Sequence, residues 1–301
     1  MSELPAVSVV IPTFNRAVYL PASIDSVLDQ SFKDFELIVV DDGSTDNTQG
    51  VLKRYGSRLK CLYQPNGGAS AARNLGVRHA RAPWIAFQDS DDLSTPTRLE
   101  TLIAYVREHP DCGMVFANGG YVGEAEHRHE TIIPASKSRQ LEANGVTVVD
   151  LFEKSIARLQ ASIISKAAYE SIGGMDESLH ICHDLDLFFR LFMRYRVMYL
   201  DRLVFFYRTH PGNMTGNEEL RLTENIRVIE KLIHDYPEAH DQIGKNLVAR
   251  RLAYRYYRLA KGRWRLNRRE AARQAIQQAT RLRPGYLKYW FYKIHWDCIN
   301  R

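Results

Sequence analysis

The chain is short of the features that mark a membrane span, a disulfide scaffold or the commonest nucleotide-binding folds. None of its 301 residues lie in a stretch approaching the ~20 uninterrupted apolar residues of a spanning helix. The start, Met1-Ser2-Glu3-Leu4-Pro5, has neither a basic lead nor an apolar core, so no secretory signal is expected. Its four cysteines, Cys61, Cys112, Cys182 and Cys298, are scattered without a C-x-x-C pair. That spacing fits reduced thiols in a cytosolic protein and speaks against a disulfide framework or a zinc site. No G-x-G-x-x-G follows the first apolar run, and no G-x-x-x-x-G-K-[ST] occurs anywhere. Both absences weigh against a Rossmann dehydrogenase and a P-loop phosphotransferase.

What is present is an ordinary globular composition, 45% hydrophobic and 25% charged, with a lopsided charge distribution. Residues 250–301 carry 15 Lys/Arg against 2 Asp/Glu, a net of +13, whereas residues 1–249 carry 26 against 33, a net of −7. An acidic body with a basic tail points to an anionic surface for the tail. It does not describe a fold that grips nucleic acid throughout, and no nucleic-acid partner is expected.

The chain is organised around Trp84-Ile85-Ala86-Phe87-Gln88-Asp89-Ser90-Asp91-Asp92. A short apolar run behind Pro83 reads as a buried parallel strand, and three carboxylates wait at its carboxyl end. Ligands of open α/β sheets bind at such strand ends. Crowded carboxylates call for a cation, and a divalent ion bridging a diphosphate is the natural one. The plainer reading is an acidic turn capping the helix that starts near Pro96.

Around that stretch the chain alternates. Val7–Ile11 is a β-branched strand stopped by Pro12, and a helix through Leu20, Ile24, Val27 and Leu28 follows. Phe35–Val40 is a second strand ending in Asp41 and Asp42, and a third is expected at Leu59–Tyr63. Ala69–Arg81 and Arg98–His109 read as helices, with a strand at Gly113–Ala117. This rhythm predicts a three-layer α/β/α domain with a mostly parallel sheet. Residues from about 121 to 148 are polar and poorly periodic and predict a mobile loop, where His127 and His129 receive no role. A helix is expected at Val149–Leu159, an amphipathic one from Cys182 to Leu191, and strands at Val197–Leu200 and Leu203–Tyr207. From about residue 216 the pattern is helical, including a hairpin with a capping box at Asn267-Arg268-Arg269-Glu270. The aromatic and Lys-rich end, Tyr286–Trp296, suits either an interfacial helix or one packed on the body.

Four segments in order resemble the family 2 glycosyltransferases. They are Val9–Arg16, Val39–Asp46, Asn66–Asn74 and the D-x-D-like Asp89-Ser90-Asp91-Asp92. The resemblance covers roughly the first hundred residues strongly and weakens to about residue 215. It implies a GT-A-like catalytic domain over 1–215, with a nucleotide-sugar half (1–117) and an acceptor half (118–215). Residues 216–301 form a basic helical extension outside it.

The resemblance also implies roles. Pro12, Thr13 and Asn15 wall the base pocket, and Asp42 accepts from the ring N–H of the base. Arg73 reaches the base or a phosphate, unless it is a plain surface arginine. Asp89 lies near the ribose, and Ser90 is a further substrate-binding residue. Asp91 and Asp92, inseparable by sequence, bind a divalent metal, Mn²⁺ or Mg²⁺, with His210 as a further ligand. Asp184 is the base that takes the acceptor's proton in an inverting transfer. Family members carry Glu-Asp here, and this chain has His183-Asp184. Asp186 is a rival base better suited to a first-turn role, and Asp176 better suited to a turn. The implied donor is a nucleotide-diphosphate sugar, UDP first, and the implied acceptor a glycan or lipid-linked glycan. The implied location is the cytoplasm, at the inner face of an anionic membrane. Two other classes stay open: a nucleotidyltransferase, for which Thr13-Phe14-Asn15-Arg16 is a poor triphosphate loop, and a binding scaffold that lost the chemistry.

Overall fold

The sheet is built outward from a strand whose residues are apolar on both faces. In β1 (Val7–Thr13), Val7, Val9, Val10 and Ile11 are fully buried, as a strand covered by helices on both sides requires. The structure is a computed structural model and describes residues 4–122, 130–210 and 217–298. In it β1 pairs in parallel with β2 (Phe35–Asp41) and, on its other flank, with β4 (Trp84–Phe87), while β3 (Lys60–Tyr63) extends the parallel half beyond β2.

The expected parallel sheet continues into a mixed one. Beyond β4 come β7 (Ser162–Ser165), β6 (Cys112–Val122) and β8 (Arg196–Arg208), with β5 (Leu93–Ser94) at the edge, giving the order β3-β2-β1-β4-β7-β6-β8-β5. β7 runs antiparallel between β4 and β6, and β6 and β8 are parallel.

Helices cover both faces. Val7, Val9 and Ile11 pack with α1 (Leu20–Leu28), α2 (Thr48–Lys53) and α4 (Arg98–Glu108) through Ile24, Val51 and Leu102, among others. On the opposite face Val10 meets α3 (Ala69–His79) at Gly76, where a Cβ would come within 2.3 Å of Val10 Cγ1. Only glycine lets α3 come this close.

Several elements depart from the sequence pattern, each for a local reason. Pro12 lies inside β1 instead of ending it. Val10 O accepts from Gln88 and Thr13 O from Asp42, so by strand alternation Pro12 faces the side where β4 has already ended. The two strands expected between Val197 and Tyr207 are one, bent by register irregularities opposite Ala117–Gly119. Leu93-Ser94, to which the sequence pattern assigns no strand, pairs with Phe206 and Phe205. The expected loop at 121–148 contains α5 (Ala135–Asn144), docked through buried Leu141, and α6 (Val148–Lys154) begins at its end. Of that loop, residues 123–129, with His127 and His129, lie outside the described residues. The helix expected to reach Leu159 stops at Lys154, where Ser155 turns left-handed at φ 47°. α7 (Lys166–Ser171) and the strongly amphipathic α8 (His183–Arg194) complete this first unit, residues 1–212.

The second unit, residues 213–301, is helical: α9 (Glu218–Asp235), α10 (Ala239–Ile243), α11 (Lys245–Arg265), α12 (Arg269–Leu282) and α13 (Leu287–Cys298). The hairpin of α11 and α12 closes on buried Ala272, Ala275, Ile276 and Ala279. Its expected capping box does not form. Asn267 is left-handed at φ 59°, and Arg268 is the N-cap without a side-chain cap bond. α13 divides its aromatics: Tyr289 and Trp296 are buried, the latter stacked on Trp264 with ring centres 4.4 Å apart. Leu287, Trp290, Phe291 and Ile294 lie exposed.

Candidate active site

Parallel strands bring their carboxyl ends to one edge, so the loops after β1, β2 and β4 meet. Asn15 ties the first two together. It sits at φ 52°, which Asn tolerates better than most residues, and its Oδ1 accepts from the N–H of Thr45 (2.7 Å) and Asp46 (3.2 Å). Its own N–H donates to Ser44 Oγ at 2.9 Å. Thr13 is buried, and its hydroxyl has no partner. Pro12 is buried beside it.

Asp42 is 3% exposed and orders the next loop. Its Oδ1 accepts from Gln64 Nε2 (2.7 Å) and the Gly67 N–H (2.8 Å), and its Oδ2 accepts from the Gly68 N–H (2.8 Å). A carboxylate has about four acceptor sites, so three donors leave one for a ligand. The loop leads into α3, which carries Arg73. That residue is 4% exposed, not a surface arginine. Its Nη2 donates to Asp89 Oδ1 at 2.6 Å, and its Nη1 lies 3.0 Å from His183 Nε2. Asp89 and Asp184 raise the guanidinium's pKa against the opposing effect of burial, so it stays charged.

The acidic turn follows β4. Asp89, Asp91 and Asp92 each offer an oxygen, and these lie within 4.8 Å of one another. Asp89 accepts from Arg73 and Gln160. Asp91 Oδ2 lies 3.1 Å from His210 Nε2 and accepts from Arg16 Nε at 3.4 Å. His210 is stacked on Tyr19 with ring centres 4.2 Å apart, which fixes its plane. Asp92 is 1% exposed; its Oδ1 accepts from the Arg208 N–H at 2.9 Å, and its Oδ2 is buried without a partner among the described residues. Burial, with the neighbouring charge of Asp89, pushes the Asp92 carboxyl well above its ordinary value, and burial raises Asp89 despite Arg73. Ser90 is buried within the turn.

This much negative charge needs support from below, and Arg98 supplies it. The side chain is fully buried, donating to Gln88 Oε1 (2.9 Å), Ser94 Oγ (3.0 Å) and the Phe87 carbonyl (2.6 Å). Burial lowers its pKa to about 10, which still leaves it cationic near neutrality. An orphaned buried oxygen, three crowded carboxylates and an adjacent imidazole are a donor set that fits a divalent cation.

Comparison with known proteins identifies the family. The glycosyl transferase family 2 profile matches residues 8–161. A glycosyltransferase of Rickettsia prowazekii (strain Madrid E) is 30% identical over 222 residues, 73% of this chain and 69% of that protein. The chain belongs to glycosyltransferase family 2. The poly(ribitol-phosphate) β-N-acetylglucosaminyltransferase TarP of Staphylococcus aureus (strain N315) is 32% identical over 55% of each chain. Among solved structures, S. aureus TarS 1-349 in complex with UDP-GlcNAc superposes with a TM-score of 0.68 at 21% identity, covering 92% of this chain and 82% of that one. The fold is therefore GT-A-like and the protein a glycosyltransferase. No described helix is long and apolar enough to cross a membrane.

In this family 2 enzyme His183, which stands where the resemblance implies Glu, lies beside Asp184 and Arg73. His183 Nε2 lies 2.8 Å from Asp184 Oδ1 and 3.0 Å from Arg73, so one imidazole links α8 to α3. Burial pushes the Asp184 carboxyl up, but His183 and Arg73 outweigh it and hold it below the usual carboxylate range. Asp184 thus stands ionised, beside Asp89 and not remote from it. Asp186 is buried and held by Arg190 (Nη2–Oδ2 2.5 Å, Nε–Oδ2 2.9 Å), as a helix-anchoring residue would be. Asp176 binds Ser178 within its turn. Asn74 fastens that turn to α3 by bonding Met175 at both N–H and C=O, 3.0 Å each.

Sequence reasoning missed Gln160, Arg16 and Arg98. Gln160 follows a helix stop that pattern alone does not show. Arg98 opens α4 beyond β5, and its burial rests on contacts with Gln88, Ser94 and Phe87 that spacing does not announce.

Proposed function

We propose that this glycosyltransferase is inverting and metal-dependent and moves a sugar from a nucleotide-diphosphate donor, UDP-linked, to a hydroxyl of a glycan or lipid-linked glycan. The observation that carries the reading is the orphaned Asp92 Oδ2 among three carboxylates whose oxygens lie within 4.8 Å. Asp91, Asp92 and His210 would hold Mn²⁺ or Mg²⁺. The ion's contribution is to neutralise charge on the departing diphosphate. That the neighbours' names include UDP-GlcNAc, and in one case GDP-Man with Mn²⁺, supports a nucleotide sugar and ranks UDP first.

The chain's own residues divide the remaining work. The open acceptor site on Asp42 takes the imide N–H of the base, with Pro12, Thr13 and Asn15 shaping the pocket wall. Asp89 and Ser90 face the ribose, and Arg73 fixes Asp89 while adding positive charge toward the phosphates. Asp184, ionised at neutral pH, receives the acceptor hydroxyl's proton as that oxygen attacks the anomeric carbon opposite the leaving diphosphate. The second unit rests on an anionic membrane at the cytoplasmic face, supported by its basic charge and by the exposed stripe Leu287, Trp290, Phe291 and Ile294.

Calorimetric titration of UDP, GDP and dTDP, with and without Mn²⁺, tests the donor site. Metal-dependent binding of UDP is expected, weakened at least about a hundredfold by Asp91→Ala through loss of several kcal/mol of charge stabilisation. Binding of none of the three would sink the reading in favour of a scaffold.

A further inference from the structure

Within the helical unit, α11 and α13 enclose a second concentration of like charge that the transfer reaction does not use. The cleft measures about 350 Å³. Arg258, Lys261, Arg265 and Lys288 line it, with Glu218 as the one acid in its lining. Glu218 pairs with Arg258, whereas Lys261, Arg265 and Lys288 form no ion pair among the described residues. Two of these cations converge on one ring: Lys261 Nζ lies 5.6 Å and Lys288 Nζ 5.3 Å from the centre of Tyr257. Ring faces attract ammonium groups, but two on one ring repel each other unless an anion joins them.

The floor of the cleft points the same way. Gly262 stands inside α11, where glycine costs about 1 kcal/mol against alanine. A Cβ there would meet nothing within 4 Å, so no packing demand explains the residue. It leaves the cleft open at the level of Lys261.

What lies beside the cleft decides between anions. Lys288 is flanked on α13 by Leu287, 81% exposed, and the same helix exposes Phe291 at 64% and Ile294 at 58%. The spacing 287, 290, 291, 294 is one helical face. A cationic cleft opening next to an apolar ridge matches the two halves of a phospholipid, a phosphate and its acyl chains.

We infer that the α11–α13 cleft binds the phosphate of an anionic phospholipid headgroup, with the Leu287–Ile294 ridge entering the acyl layer beside it. This rests on the membrane reading of the helical unit and names its ligand; it is independent of the donor site.

The test is flotation of the full chain with phosphatidylcholine vesicles, with and without phosphatidylglycerol, in the presence of a chelator. Co-flotation is expected only with phosphatidylglycerol. Lys261→Met and Lys288→Met keep the side-chain stems and should each weaken partitioning about fivefold. Arg265→Gln, an exposed rim variant, should act in the same direction and serves if either lysine variant melts early. Asp91→Ala should float like the parent. Capture unaffected by the cleft variants would overturn the cleft assignment while leaving the membrane reading standing. No capture at all would overturn both. Calorimetric binding of inorganic pyrophosphate without vesicle capture would assign the cleft to a soluble phosphate and refute the lipid.

Discussion

At the scale of single residues the site balances buried and half-buried charges of both signs. Arg98 beneath the turn and Arg73 beside it offset part of the acidic charge, but Asp92 keeps one oxygen without any partner among the described residues. Its carboxyl lies well above its ordinary value of 3.8 in the folded state, so ionising it costs folding free energy. The metal-free protein therefore loses stability as pH climbs from about 3.8 through the raised value. A bound cation replaces the proton and removes that cost. Mn²⁺ should raise the melting temperature more at pH 7 than at pH 5. Asp92→Asn should raise the metal-free melting temperature at pH 7 and shrink the Mn²⁺ gain. Equal gains at both pH values, measured by scanning calorimetry, would place the ion elsewhere. Part of this was legible from spacing: the run Asp89 to Asp92 at a strand end placed three carboxylates together. The part Arg98 plays was not, because burial of an arginine at a helix start is decided by Gln88, Ser94 and the Phe87 carbonyl, contacts that no local pattern encodes. Nor did the pattern reveal that Asp42 holds the Gln64–Gly68 loop.

At the scale of elements, two glycines in helices make opposite predictions from the same substitution. Helix propensity favours alanine at both by up to about 1 kcal/mol. At Gly76 the new Cβ would stand 2.3 Å from the stiff, fully buried Val10, so the clash wins. Gly76→Ala should destabilise by about 1–3 kcal/mol in urea unfolding, and weaken UDP binding because α3 carries Arg73 and Asn74. At Gly262 nothing opposes the methyl, so Gly262→Ala should stabilise. A destabilised Gly262→Ala would mean a contact that the geometry does not contain. The elements themselves were readable where periodicity was clean, as in β1, β2, β4, α3 and the α11–α12 hairpin. Sheet order was not. The antiparallel β7 between β4 and β6, and the pairing of Leu93-Ser94 with Phe205-Phe206, come from long-range register, which local alternation leaves undetermined. The capping box at 267–270 failed for a different reason, since the left-handed Asn267 stands one residue outside the helix and the N-cap is Arg268, whose side chain has no acceptor.

At the scale of the whole molecule, charge separates two binding problems that salt can tell apart. The first 249 residues are net −7 and the last 52 net +13, yet the proposed donor site buries Asp42, Arg73 and Asp92 and half-buries Asp89 and Asp91, whereas Arg258, Arg265 and Lys288 of the helical cleft are exposed. The Debye length falls from about 10 Å at 0.1 M salt to about 3 Å at 1 M, which screens exposed charges and hardly touches buried ones. Raising KCl from about 0.1 M to about 1 M should therefore release the protein from phosphatidylglycerol vesicles by more than tenfold in partition coefficient. UDP affinity in saturating Mn²⁺ should change by less than about threefold over the same range, because Asp92, which would hold the ion, is 1% exposed. The two titrations on one preparation separate the possibilities. Equal salt sensitivity would mean that the diphosphate is held by exposed cations and that the acidic turn is not its anchor. Salt-resistant vesicle binding would mean that Leu287, Trp290, Phe291 and Ile294 carry the attachment by burial alone, with the basic cleft a bystander.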